Sequence, residues 1–155
     1  MVNTHEFSLC TDTATLAVFD PVCLQHRLSD SCDWWSVPWD EVEEINHGNM
    51  FCIDLGSDGN YRVAVHLFDC PPGIQTLSSQ IQCKSGRIFF GSGEQLPGGG
   101  LNPDLALGGF SLKAASGTYR VHIVRREDWA IEIWLEEADT DARNHWQQSP
   151  QLKIN

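Results

Sequence analysis

The chain has 155 residues, of which 41% are hydrophobic and 20% are charged, so it has the size of about one globular domain. This apolar content excludes a disordered polymer, and no apolar run approaches the ~18–20 residues that a bilayer span needs. Ten Lys and Arg stand against 21 Asp and Glu, a formal net charge of −11. This charge disfavours nucleic acid and membrane partners and favours a basic partner or a cation.

The first third of the chain predicts short strands followed by two short helices. Short apolar runs that include Phe7, Leu9, Leu16 and Val18 fit strands. The segment 20–27 predicts one or two helical turns, with Asp20 as the N-cap and a proline in the first turn. The segment 37–45 predicts a second short helix.

The remainder predicts strands that alternate apolar and polar residues, in the segments 61–67, 119–123 and 129–136. In the last of these, Glu132, Trp134 and Glu136 fall on the outward face. From about residue 139 the pattern is lost, which predicts a less regular tail that carries a late strand or docks on the domain. Many short strands with regular turn signals predict a single all-β domain over residues 1–155, an antiparallel β-sandwich of the jelly-roll or Greek-key kind.

One short pattern occurs twice. Gly59-Asn60-Tyr61-Arg62-Val63 is echoed 58 residues later by Gly117-Thr118-Tyr119-Arg120-Val121. In sandwich folds, a tyrosine that follows a turn glycine anchors the preceding turn through its hydroxyl group. We expect both tyrosines to do so.

The search for catalytic motifs predicts that the chain is not an enzyme and binds no cofactor. The nucleophile elbow, the zinc-protease helix, the phosphate-binding loop and the dinucleotide-binding glycine pattern are all missing from the sequence. His66 and His122 lie beside arginines, a poor setting for a metal ion. The segment 54–60 has calcium-loop oxygen donors, but the twelfth position is Val65, so we interpret it as a turn. A distant Cys–His pair, or a hydrolase with an unrecognised site, stays open.

Cysteine usage and the N-terminus predict the compartment. The segment 1–6 has neither the basic start nor the apolar core of a secretory signal, so we expect a cytoplasmic protein. The six cysteines include no C-x-x-C pair, and a chain of this size can be stabilised by burial alone. We therefore interpret all six as thiols.

Acidic residues and tryptophans coincide in two stretches. Fifteen of the 21 acidic residues lie between Arg27 and Arg62 or in the segment 127–141, and neither stretch contains Lys or Arg. Tryptophan is a frequent anchor of binding hot spots, and surrounding charge speeds the encounter with an oppositely charged partner. At least one of Trp34 and Trp35 is expected in the core. The predicted partner-binding residues are Asp33, Trp39, Asp40, Glu41, Glu43, Glu44, Glu132, Trp134 and Glu136.

Several short motifs carry a resemblance to known proteins. They are Thr11-Asp12-Thr13-Ala14, Phe19-Asp20-Pro21, Asp33-Trp34-Trp35 and the two glycine–tyrosine segments. Over about residues 10–135 the chain resembles a family of uncharacterised bacterial β-sandwich proteins, similar to ComJ-type competence nuclease inhibitors and to toxin-immunity proteins. The resemblance implies a bacterial inhibitor that acts by binding a protein.

The predicted function is therefore an immunity protein that neutralises a secreted toxin, a nuclease of the type VI secretion kind. Its carboxylates would occupy the basic cleft in which a nuclease holds phosphates. We expect a monomer or weak homodimer without nucleic-acid or membrane partners. The alternative is a carbohydrate- or small-ligand-binding β-sandwich in which tryptophans act as stacking platforms.

Overall fold

A computed structural model describes residues 3–103 and 108–153, and nine strands run through them. They form a five-stranded sheet of order β1-β4-β9-β8-β5 and a four-stranded sheet of order β3-β2-β6-β7. The strands are β1 (Thr4–Thr11), β2 (Thr15–Phe19), β3 (Phe51–Asp54), β4 (Gly59–His66), β5 (Leu77–Cys83), β6 (Arg87–Gly91), β7 (Phe110–Lys113), β8 (Gly117–Glu127) and β9 (Ala130–Ala138).

The two sheets share one hydrophobic core, which confirms the predicted all-β sandwich. Val63 and Ile133 of the five-stranded sheet and Leu16 and Phe90 of the four-stranded sheet belong to the same buried cluster, and all four are fully buried. One pairing departs from the predicted antiparallel pattern, because β4 and β9 are parallel. Parallel neighbours need a long crossover connection, and here the crossover contains β5 to β8.

The repeated glycine–tyrosine pattern has the predicted role. The Tyr61 hydroxyl donates to the Ser57 carbonyl (2.5 Å), and the Tyr119 hydroxyl donates to the Ala115 carbonyl (2.7 Å). Each tyrosine thus bonds the backbone four residues upstream and fixes the turn that precedes its strand. The glycines that open these strands have φ values of +143° and +151°, which L side chains rarely adopt.

Both predicted short helices are present. A 3₁₀ helix spans Pro21–Arg27, and the Asp20 carboxylate caps it by accepting from the Val22 amide (3.0 Å). The same carboxylate accepts from the backbone amides of Lys84 and Ser85, so it joins this helix to the β5–β6 turn. A second 3₁₀ helix, Trp34–Ser36, leads into the α-helix α1, Pro38–Asn46.

Residues 139–153, called the C-terminal segment below, contain no helix or strand and pack along α1 and β3. The Asn144 side chain donates to the Ile45 carbonyl (2.7 Å), and the Trp146 ring lies 5.9 Å from that of Phe51. A single bridge joins Asp54 to Gln151. The C-terminal segment is therefore irregular and packs on the sandwich.

The remaining local predictions concern the 54–60 turn and the thiols. The Asp54 carboxylate accepts from the Gly56 amide (2.8 Å), a turn-forming bond between β3 and β4. All six cysteines have free thiols. In residues 3–103 and 108–153, no helix has both the length and the apolar character needed to cross a membrane.

Candidate protein-binding surface

Four carboxylates of the first acidic stretch gather around one cation, Arg27. Its guanidinium donates to Glu44 (2.6 Å), Asp30 (3.1 Å) and Asp40 (3.4 Å), and Glu43 lies 3.9 Å away. The 3₁₀ helix Pro21–Arg27 ends at Arg27, which brings the cation against α1. Four carboxylates share this single positive charge, so the region keeps a local excess of negative charge.

Glu44 is part of the interior, which corrects its prediction as a partner-binding residue. It is 2% exposed, accepts from Arg27 and the Asn49 side chain (2.7 Å), and lies 2.7 Å from His26 Nε2. Burial alone raises the pKa of Glu44, but the hydrogen bonds from Asn49, Arg27 and His26 outweigh it, and the net pKa is lowered. Glu44 is therefore ionised, but its charge is satisfied inside the protein.

Glu41 is also buried, at 8% exposure, and its prediction as a contact residue is wrong for the same reason. It lies one helical turn before the fully buried Ile45, on the face of α1 that meets the core. Burial raises the pKa of Glu41, and interactions with Ser149 and Cys52 offset only part of this rise.

The other predicted residues of this stretch remain accessible. Trp39 is 75% exposed, Asp33 and Glu43 are exposed, and Asp40 is half-buried. On α1, Trp39 and Glu43 are four residues apart and thus share a face, with Asp40 beside them. Asp33 precedes the 3₁₀ helix that packs on α1. We call Asp33, Trp39, Asp40 and Glu43 the α1 surface.

The second predicted group lies on the outer face of the five-stranded sheet, the face turned away from the four-stranded sheet. His66 of β4 and His122 of β8 are the lateral neighbours of Trp134 in β9. His66 Nε2 lies 2.9 Å from the Glu132 carboxylate, and His122 Nε2 lies 2.7 Å from that of Glu136. Each acid of this group therefore has its own histidine partner.

Trp134 is on the outward side of β9, as predicted, but it is only 3% exposed. The sheet order forces the β4–β5 connection, residues 67–76, to cross β9 and β8. This connection contacts the outer face, because the Cys70 amide donates to Glu136 (3.1 Å) and the Phe68 ring lies 5.1 Å from that of His66. The prediction of Trp134 as an exposed anchor is therefore wrong.

Burial raises the pKa of Glu136. The hydrogen bonds from the His122 side chain and the Cys70 amide outweigh this effect, so the net pKa of Glu136 is lowered. Glu132 is half-buried and also bonds Arg126 (3.1 Å). The outer-face acids are thus compensated within the sheet. They lie on β9 of the five-stranded sheet, whereas α1 packs against β3 of the four-stranded sheet.

Sequence reasoning missed residues that complete both regions. The sequence indicates only a poor metal setting for His66 and His122, whereas in the structure both lie on strands that pair with β9 and contact its glutamates. Trp146, from the C-terminal segment, lies across a groove from Trp39.

Throughout the part of the chain that the structure describes, no three His, Cys, Asp or Glu side chains lie close enough together to hold a metal ion.

A family model matches the chain in sequence, and solved structures match it in fold. The model of a family of unknown function, DUF6386, matches residues 1–152. No curated protein matches.

A solved structure described as "Crocagin biosynthetic gene J" is 14% identical, with a TM-score of 0.51 over 86% of this chain and 98% of its own. ComJ from Bacillus subtilis, an inhibitor of the DNA-degrading activity of NucA, is 12% identical, with a TM-score of 0.50 over 88% and 96%. The predicted resemblance to an uncharacterised family with a ComJ-like fold is confirmed.

Proposed function

Because the match spans nearly the whole chain, the protein belongs to the DUF6386 family, and we propose that it is a non-catalytic inhibitor of a nuclease. In this proposal the α1 surface enters the basic cleft of the nuclease. The nuclease is a secreted toxin of the type VI kind, and the chain acts as its immunity protein in the cytoplasm. The observation that carries the proposal is the exposed Trp39 between carboxylates that are only partly neutralised.

The charges of this region favour association with a positively charged protein. Arg27 is mostly engaged by the buried Glu44, its shortest contact, which leaves Asp30, Asp40 and Glu43 at longer distances from it. The net charge of −11 adds a long-range field of the same sign. Such fields raise association rates and do so less at high salt.

The similarity to ComJ supports an inhibitor with a protein partner, since ComJ acts against a nuclease. The shared fold does not by itself define the activity, because the crocagin protein has it too. The proposal therefore depends on the α1 surface rather than on the fold.

The test uses the purified chain and the nuclease-domain proteins encoded beside its gene. We expect stoichiometric loss of DNA or RNA degradation by one of them. The double variant Asp33→Lys/Glu43→Lys should lower the association rate at low salt by about tenfold or more, because it reverses two exposed charges of the α1 surface. Its melting temperature should stay close to that of the wild type.

The control variant, Glu6→Lys/Glu127→Lys, changes the net charge equally at exposed positions on β1 and β8. It should slow association much less. Equal slowing by both double variants would mean that only the total charge matters and would contradict docking through the α1 surface.

A further inference from the structure

A groove of about 610 Å³ runs beside Trp39. One wall is α1 and the other is the C-terminal segment. The residues that line it are Pro38, Trp39, Val42, Trp146, Gln147, Gln148, Ser149 and Gln151. It thus combines apolar surface with amide and hydroxyl groups that both donate and accept hydrogen bonds.

The wall opposite Trp39 is held in place by paired polar contacts. The Asn46 side chain donates to the Trp146 carbonyl (3.0 Å) and accepts from the Trp146 amide (2.7 Å). The Trp146 indole nitrogen donates to the Ser79 hydroxyl (3.2 Å). The buried Glu41 side chain also interacts with Ser149. A wall fixed in this way gives a ligand a site that needs little ordering on binding.

The charge around the groove selects its occupant. None of the described residues that line it is charged, but Asp40 and Glu43 lie next to Trp39 on α1. A cation over the exposed indole would therefore gain from the ring and from both carboxylates. The protein already contains one such arrangement, because Arg27 lies 4.6 Å above the Trp34 ring and 3.4 Å from Asp40.

We infer that this groove binds an extended segment of a partner protein and that an arginine or lysine of that segment stacks on Trp39. The glutamine amides and the serine hydroxyl of the C-terminal segment bind the peptide groups beside that side chain. This inference rests on the proposed function, because it names the part of a basic partner that the α1 surface receives. A sugar would also stack on Trp39 and hydrogen-bond the amides and carboxylates, but it has no positive charge for the ring and the carboxylates to attract.

The experiment is an NMR titration of the indole N–H signals with acetyl-Leu-Arg-Leu-amide. The matched probe is acetyl-Leu-citrulline-Leu-amide, which has nearly the same shape but no charge, and cellobiose serves as the sugar probe. We expect the arginine peptide to shift the Trp39 and Trp146 signals, with roughly tenfold weaker binding of the citrulline peptide. Added salt should weaken the binding of the arginine peptide only.

Two variants locate the binding site. Trp39→Leu should abolish the shift of the Trp146 signal, whereas Trp129→Leu, at an exposed tryptophan in the β8–β9 turn, should leave it intact. Equal binding of both peptides, binding of cellobiose alone, or no shift at these two indoles with any probe would overturn the inference.

The nuclease assay separates this inference from the proposed function. If no nuclease is inhibited but the arginine peptide binds as described, the proposed function fails and the groove assignment stands. If a nuclease is inhibited equally well by the Trp39→Leu variant, the inhibitor function stands and the groove assignment fails.

Discussion

Two acidic regions that look alike in sequence differ in what they present to solvent. Around α1, one arginine serves several carboxylates, Trp39 is exposed, and part of the negative charge is left over. On the outer face of the five-stranded sheet, each glutamate has a histidine, and Trp134 is hidden. The comparison shows that a run of acids in a sequence does not reveal how much of it reaches solvent, because the partners of the carboxylates and a crossing chain segment decide this.

The largest expected difference concerns the two tryptophans. Trp134→Ala should lower the free energy of unfolding by about 3–5 kcal/mol, since it leaves a cavity under the β4–β5 connection. Trp39→Ala should change it by less than about 0.5 kcal/mol, because the side chain is mostly exposed. Chemical denaturation of both variants measures the difference.

Trp134→Phe serves as the intermediate variant and should lose less stability than Trp134→Ala, because a ring still fills most of the space. Equal losses of unfolding free energy for Trp39→Ala and Trp134→Ala would contradict the contrast between an exposed and a covered tryptophan. A loss of stability in Trp39→Ala alone would contradict it as well.

The alternation of β9 correctly placed Glu132, Trp134 and Glu136 on one outward face, because strand periodicity is a local property. It did not predict that Trp134 is covered, since this depends on the parallel pairing of β4 with β9 and on a connection that must cross two strands. Sheet order arises from long-range contacts that a single sequence does not encode locally. The glycine–tyrosine turns were predictable because each tyrosine bonds a residue only four positions away.

In α1, helical spacing already indicates that one of the glutamates is buried. Glu41 and Ile45 are four residues apart, so the helix that the sequence predicted already places Glu41 on the apolar face. The burial of Glu44 is harder to predict, because it depends on Arg27 and His26 from the 3₁₀ helix Pro21–Arg27. Neither their approach to α1 nor the groove against the C-terminal segment follows from local spacing.

The shared cation of the α1 region gives the second prediction. Arg27→Met should lower the free energy of unfolding by about 3 kcal/mol, because the buried carboxylate of Glu44 loses its closest charged partner. Adding Glu44→Gln in the same chain should recover part of this loss, since it removes the unpaired charge. Arg62→Met, at an exposed arginine of β4, is the control and should change stability little. Equal losses for the two arginines would contradict the role of Arg27 as the internal counter-ion.

The smallest expected effects distinguish the two buried glutamates of α1. At pH 7, neutralising Glu44 should lower the free energy of unfolding, whereas neutralising Glu41 should raise it. Glu44→Gln should destabilise the protein by about 1.5–3 kcal/mol, because hydrogen bonds to a charged group are lost. Glu41→Gln should stabilise it by about 1 kcal/mol, because burial of an incompletely compensated carboxylate is avoided. Urea denaturation of both variants and the wild type at several pH values measures these changes.

The pH dependence follows from the direction of each pKa shift. The lowered pKa of Glu44 adds stability that is present above the unfolded value of about 4.3 and is lost as the pH falls through the folded pKa. The raised pKa of Glu41 adds stability that is present below about 4.3 and is lost as the pH rises through the folded pKa. Both variants should therefore approach the wild type on acidification, Glu44→Gln from below and Glu41→Gln from above. Shifts of the same sign at pH 7 would show that the two carboxylates share one environment, and the division of α1 into compensated and uncompensated acids would fail.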